Sequence, residues 1–205
     1  MDSIGHDAAF VGSIPELYDR LMVPLIFAPY AADLARRAAQ CEPARVLELA
    51  AGTGVVTRQL AQTLRPDVAI AATDLNRGML DQAIAVGVAR PVEWRQADAL
   101  ALPFADAAFD LVVCQFGVMF FPDKALAFAE ARRVLRPGGQ FLFNVWDRIE
   151  DNDFADTVTE ALGALAPNDP PRFLARIPHG YHHPAVIAED LARGGFRSAP
   201  QVTTL

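Results

Sequence analysis

The sequence predicts an α/β fold built on a mostly parallel sheet, and three observations carry that expectation. Runs of β-branched and aromatic residues alternate with longer helical patterns from about residue 44 onward, as repeated βαβ units require. A strand-like run, VLELA, leads directly into the glycine turn AGTG and then into an amphipathic stretch. The length, 205 residues, divided by roughly 150 per domain gives about 1.4, so one core is expected. Hydrophobic residues make up 52% of the chain and charged residues 21%, enough apolar surface to offset the ordering entropy of a compact fold.

Residues 1–43 hold two helical stretches without a strand, IPELYDRLMVPLIF and AADLARRAAQ, and read as an N-terminal helical cap on a unit spanning 44–205. Strands are expected at 45–49, 68–74, 92–97, 109–116 and 140–146. After Asn76, the residues Leu80, Ala83 and Ile84 share a helical face; after Asp123, so do Ala127, Ala131, Val134 and Leu135. The second of these helices is expected to stop at RPGG (136–139), where proline cannot continue it and glycine offers a C-cap. A helix at about 152–165, a proline-rich connection, a helix at 184–193 and a final strand, QVTTL, complete the reading.

The charge balance, 18 Lys+Arg against 25 Asp+Glu for a net charge of −7, disfavours a nucleic-acid grip, which needs clustered positive charge against phosphate. The lone lysine is Lys124, and the arginines form neither a stripe nor a polybasic membrane patch. No apolar run approaches the roughly 20 residues of a membrane span. MDSIGHDAAF lacks the cationic and apolar regions of a secretory signal. Two cysteines, Cys41 and Cys114, make no disulfide framework or metal motif, so a reduced, cytoplasmic setting is expected; Cys114, in mid-strand, reads as a buried apolar residue.

In VLELAAGTGVVTRQL (46–60), Gly52 and Gly54 allow a sharp turn and close approach of a ligand, and the helix that follows offers free N–H groups to it. The loop implies a nucleotide-type cofactor. A nicotinamide dinucleotide fingerprint would need glycine or alanine where Thr57 stands, and no GKS or GKT follows for a phosphate-cradling loop. Asp74 ends the second strand 20 residues after Gly54, at the position of a carboxylate that accepts from both ribose hydroxyls. Asp98 closes the third strand, where it could accept from an adenine amino group; either aspartate could instead be a turn or helix-cap residue.

Taken in order, VLELAAGTG, ATDLN, QADALALPF, FDLVVCQFGVMFFPD and VLRPGGQFLFNVW closely resemble the successive motifs of the class I S-adenosylmethionine-dependent methyltransferases. Within them the chain is most similar to the small-molecule, type 11 group that includes the quinone C-methyltransferases. The resemblance covers about residues 14–205 and implies a Rossmann-like sheet with S-adenosylmethionine as cofactor and S-adenosylhomocysteine as product. It further implies Glu48, Ala50, Gly52 and Gly54 around the methionine half, Asp74 on the ribose, Leu75 and Met79 against adenine, Asp98 and Ala99 on the adenine edge, and the Gln115 carbonyl near the amino group or sulfonium. The family's glycine is replaced by Ala50, which requires a negative φ there. The family also adds a seventh, antiparallel strand for which no sequence remains; a shortened chain or a fragment of a longer one is expected, with open sheet edges that invite a homodimer.

Methyl transfer from a sulfonium is an in-line displacement onto an acceptor, and alignment in a water-free site lowers the barrier by about 7–11 kcal/mol. A base becomes useful when the nucleophile carries a proton. His179, His182 and His183 in RIPHGYHHP are the candidates, in a region that the resemblance places over the acceptor pocket; a polar loop ahead of Pro184 is the alternative. No metal is assigned to them, because Gly180 and Pro184 interrupt helical spacing. Tyr18 is expected to close the pocket over the methionine end, and Asn144, Trp146 and Asp147 sit at the carboxyl end of the fifth strand, where ligands bind in open α/β sheets. A small-molecule acceptor is therefore expected, with no nucleic-acid or membrane partner. Two other readings stand beside this one: a module that binds cofactor or partner without turnover, and a nicotinamide oxidoreductase, disfavoured by Thr57.

Overall fold

The computed structural model describes residues 14–168 and 170–205. Five parallel strands form one sheet in the order β3-β2-β1-β4-β5: β1 Arg45–Glu48, β2 Ala69–Asp74, β3 Glu93–Gln96, β4 Phe109–Gln115 and β5 Leu135–Asn144. The order reverses at β1, with β2 on one side and β4 on the other, the switch point at which parallel sheets open a crevice.

Helices cover both faces. On one, α2 (Ala28–Gln40) and α3 (Val55–Thr63) bury Ala31, Leu34, Ala35, Val56 and Leu60 against Val46, Ile70, Leu111 and Val113. On the other, α5 (Lys124–Val134) and α8 (Pro184–Arg193) bury Phe128, Ala131, Ile187 and Leu191 against Leu47, Val112 and Cys114. Strand residues of alternating parity serve opposite faces, which is why β1 and β4 carry unbroken apolar runs at their centres, Val46–Leu47 and Leu111–Cys114. Helix α4 (Arg77–Val86) follows β2 and is capped by Asn76, whose side chain accepts the Met79 N–H at 3.2 Å. Helices α6 (Asp153–Leu165) and α7 (Phe173–Arg176) lie in the connection to α8. No helix among the described residues is long and apolar enough to cross a membrane.

The N-terminal helical stretches run together. A short α1 (Ile14–Leu17) passes into π-helical turns over Tyr18–Phe27 and then into α2. Pro24, inside the π-helical segment, has no N–H for an α-helical bond, and the Ala28 N–H reaches back five residues to the Val23 carbonyl.

Two expected features differ. The helix before RPGG ends at Val134 without a glycine cap, and β5 already begins at Leu135. Pro137 pushes Arg136 toward extended backbone. The helix's last carbonyls are met instead by β4's approach: Ala107 N–H bonds Arg133 O at 2.9 Å and Ala108 N–H bonds Val134 O at 2.8 Å. The extra residues between Leu135 and Gln140 form an irregularity in the β4–β5 register. The second feature is QVTTL (201–205), which is exposed and forms no strand; β-branched residues favour a pleated surface only where a neighbouring strand supplies the ladder.

Candidate functional site

Glu48, Ala50, Gly52, Gly54, Asp74, Leu75, Met79, Asp98, Ala99 and Gln115 all lie at or just beyond the carboxyl ends of β1 to β4. The glycine loop leaves β1 and is held against β2 by Ala51 N–H to Thr73 O, 2.9 Å. Gly52 and Gly54 take φ of +57° and +82°, the left-handed region that glycine enters without a Cβ penalty. A side chain at 54 would also meet Ala83 and Trp94 at 3.1 Å.

Ala50 corrects an expectation: its φ is +51°, not negative. The loop imposes the glycine conformation on an alanine, at a cost of about 1–2 kcal/mol. Its methyl group occupies the space in front of Gly117, where an added Cβ would stand 2.6 Å away.

Asp74, mostly buried, bridges the loop and the second strand. One carboxylate oxygen accepts the Gly52 N–H at 2.8 Å and the other the Asn76 N–H at 2.7 Å. Each oxygen retains a further lone pair for a ligand hydroxyl. Burial raises its pKa, while the two backbone donors pull it down. The Ala97 N–H bonds the Asp74 carbonyl at 3.0 Å, so Asp98 emerges beside it. Asp98 is exposed and turns the chain by accepting the Leu100 N–H at 2.9 Å. Leu75 is 63% exposed, whereas Met79 is buried beneath Gly52.

Glu48 is wholly buried, and Thr57 donates to it at 2.6 Å. Thr57, which as a sequence feature only argued against a dinucleotide fingerprint, is the buried carboxyl's hydrogen-bond donor. Burial pushes Glu48 up to about 8, with Asp74 adding to the rise and Thr57 and Arg58 opposing it. A carboxyl whose folded pKa lies above its unfolded value of 4.5 keeps its proton preferentially in the folded state. Its stabilising contribution is therefore full below 4.5 and is lost as pH rises through about 8. Glu48→Gln is expected to flatten the decline of unfolding free energy across that window in denaturant titrations; an unchanged slope would assign the decline elsewhere.

The N-terminal segment closes over this loop. Asp19 pairs with Arg58 at 2.8 Å, and Arg58 also donates to Thr53 O at 2.7 Å. Gln115 Nε2 donates to Phe27 O at 3.2 Å, while its buried Oε1 has no partner. Tyr18 is half-buried and feels the Asp74 charge, and desolvation, with the Asp74 and Asp19 charges, raises its pKa. Phe27 and Tyr30, which sequence reasoning left out of the site, join Tyr18, Phe116 and Trp146 in one aromatic cluster. No sequence signal links these rings, because they come from separate elements.

The histidines divide. His179 is buried beside Trp146, His182 is half-buried, and His183 is exposed and caps α8 by accepting the Ala185 N–H at 3.3 Å. Among the described residues no group of three or more His, Cys, Asp or Glu is clustered to hold a metal.

The cofactor implied by the resemblance can be tested against these residues, and they fit. Two glycines in the left-handed region and a buried carboxylate with spare acceptor capacity lie at the carboxyl ends of β1 and β2, and Gln115, whose buried Oε1 has no partner, ends β4 beside them. Residues 47–143 match the family described as "Methyltransferase domain". The chain is similar to the ubiquinone/menaquinone biosynthesis C-methyltransferase UbiE of Saccharophagus degradans, with 41% identity over 102 residues, 48% of this chain and 41% of that protein. The match thus spans less than half the length of that relative. A solved structure from Bacillus halodurans C-125, assigned to the methyltransferases, superposes with TM-score 0.58 at 27% identity, covering 81% of this chain and 68% of the other. The trans-methyltransferase CalH, solved in complex with SAH, shares the fold at TM-score 0.57 and 23% identity over 82% of this chain and 48% of its own. Ordered motifs, a parallel sheet with its switch point at the glycine loop, and these matches together make residues 47–143 a methyltransferase domain similar to the class I S-adenosylmethionine-dependent methyltransferases.

Proposed function

We propose that the chain transfers a methyl group from S-adenosylmethionine to a small-molecule acceptor. The observation that carries this reading is the hydrogen bond from Gly52 N–H to the Asp74 carboxylate, which locks the glycine loop to the carboxylate at the sheet's switch point. The bound cofactor supplies an activated methyl group on a sulfonium. Gly52 and Gly54 admit its methionine half, with Glu48 and Ala50 behind them; Asp74 accepts from the ribose hydroxyls. Exposed Leu75 and buried Met79 flank the adenine, Asp98 and Ala99 meet its edge, and the Gln115 carbonyl faces the amino group. Tyr18 and the π-helical segment exclude water, held down by the Asp19–Arg58 pair.

The names of the curated relatives direct the acceptor search to quinone-type rings. The free thiols Cys41 and Cys114 fit the reducing cytoplasm. The unpaired edge of β5 fits a homodimer formed by strand pairing.

Calorimetric titration with S-adenosylhomocysteine is the first test, followed by product formation from S-adenosylmethionine with an acceptor panel. Binding plus acceptor-dependent product is expected. Tight binding with no product across the panel would favour a cofactor-binding module without turnover, and absence of binding would overturn both.

A further inference from the structure

His179 is 5% exposed, and its Nδ1 lies 2.7 Å from the backbone carbonyl oxygen of Asp147. A carbonyl oxygen can only accept, so Nδ1 carries the ring proton and the neutral imidazole presents an unprotonated Nε2. Among the described residues, no hydrogen bond is formed by that Nε2. His182 spends its own Nδ1 on the His179 carbonyl at 2.7 Å, and His183 spends its Nδ1 on the start of α8. His179 alone combines burial, a fixed tautomer and an available lone pair.

Its surroundings connect it to the cofactor crevice. The imidazole lies 5.9 Å from Trp146, which stacks on Phe116 at 3.8 Å with the planes 2° apart. Phe27 packs on both rings, and Tyr18 stacks on Phe27 at 5.2 Å while facing the Asp74 charge. An unbroken aromatic wall therefore runs from Asp74 to His179. Phe116 is held at φ +49°, a conformation a bulky residue adopts only when its surroundings impose it. Its stack on Trp146 and its N–H bond to Asn144 O at 3.2 Å supply that constraint. The wall is apolar, with successive rings tilted by 26° to 54° outside the parallel Phe116–Trp146 pair, and its far end carries one proton acceptor.

We propose that His179 Nε2 removes the proton from an acidic hydroxyl on a conjugated ring as that ring is methylated, an inference that rests on the methyltransferase reading above. The O–H bond breaks and the proton passes to Nε2, giving an imidazolium whose Nδ1–H remains bonded to Asp147 O. The released electron pair, on oxygen or delocalised to a ring carbon, forms the new bond to the methyl carbon. The C–S pair returns to sulfur, which leaves as a neutral thioether. The charged and titratable groups on and next to this loop include Asp147 itself, the Arg148–Asp151 ion pair at 2.7 Å, His182, and Tyr181, which donates to Asp190 at 2.9 Å and lies under Lys124.

His179→Gln is expected to lower kcat about 100-fold with a phenolic acceptor, the lower end for general base catalysis, with little change in KM. The deficit should shrink as pH rises past the acceptor's own pKa, because an ionised acceptor needs no base; a deficit equal at every pH would mark a structural role and overturn the proposal. A second readout needs no turnover: with S-adenosylhomocysteine present, bound 4-nitrocatechol should show a larger ionised fraction in its visible spectrum on the wild-type chain than on the variant, and identical spectra would count against His179. Nitrogen-15 NMR of the wild-type imidazole covers the case in which the variant does not fold. A protonated Nδ1, with an Nε2 signal that moves on adding 4-nitrocatechol, is expected; a protonated Nε2 in the neutral ring would sink the idea. Normal S-adenosylhomocysteine binding alongside any of these failures removes only the role of His179, whereas loss of binding by the wild-type chain removes the methyltransferase reading itself.

Discussion

Asp74→Ala is expected to raise the dissociation constant for S-adenosylhomocysteine by roughly tenfold to hundredfold. The carboxylate serves two clients. In the proposed binding mode it accepts from ribose hydroxyls, and it already accepts the Gly52 and Asn76 N–H groups at 2.8 and 2.7 Å. Alanine strands the hydroxyl donors, at about 1–3 kcal/mol, and each 1.4 kcal/mol is a factor of ten in affinity. It also releases the glycine loop from β2's end, so the variant's loss should show an added entropic penalty on binding. Asp74→Asn discriminates the two contributions: its amide oxygen can still accept one N–H, so the loop is partly retained while one acceptor oxygen becomes a donor. Calorimetry reads both variants, and wild-type affinity in Asp74→Ala would remove this residue from the ribose.

Gly117→Ala is expected to be the most damaging single methyl addition near the crevice. The new Cβ would stand 2.6 Å from the Ala50 Cβ and 2.7 Å from Cys114 Sγ, the latter fully buried in β4. Overpacking of this kind costs typically about 1–3 kcal/mol, and neither neighbour is a flexible chain end that can swing aside. At about 3 kcal/mol a chain of this size should lose roughly 6–12 °C in Tm. Ala50→Gly removes one of the two obstacles and also frees position 50 from its left-handed strain. The double variant Ala50→Gly/Gly117→Ala should therefore recover part of the loss. Ala50→Gly alone should change stability by no more than about 1 kcal/mol, since the relief of strain is offset by the greater freedom of glycine in the unfolded chain. A Gly117→Ala variant that melts with the wild-type chain would contradict the packing of Ala50 on Gly117.

Much of the cofactor crevice is written locally. A short apolar strand, a glycine turn and a helix start are properties of a dozen adjacent residues, and VLELAAGTGVVT displays them without reference to the rest of the chain. Asp74 was legible for the same reason, since it ends a strand one βα unit later and parallel strands of similar length bring their carboxyl ends together. The helix over 184–193 was legible from Pro184 at its first position and the glycines after Arg193.

Where adjacent residues compete with distant ones, the sequence misleads. RPGG looks like a helix stop, yet the N–H groups of Ala107 and Ala108 bond the carbonyls of Arg133 and Val134 and let the chain enter β5 at once. QVTTL has the composition of a strand and no neighbour to pair with.

By itself, then, the sequence determined the layered α/β plan, the position of the glycine loop and the carboxylate that follows it, because periodicity and turn chemistry act over a few residues. Only the folded chain decided that Ala50 adopts a glycine conformation over Gly117, that Thr57 is the hydrogen-bond donor to buried Glu48, that Arg58 ties Asp19 to the loop, and that Asp147 fixes the His179 tautomer. Each of these is set by a hydrogen bond, ion pair or contact between groups that only folding brings into place. The backbone conformation, ionisation or tautomer at such a position follows from which partner arrives there, and the order of residues along the chain does not specify it.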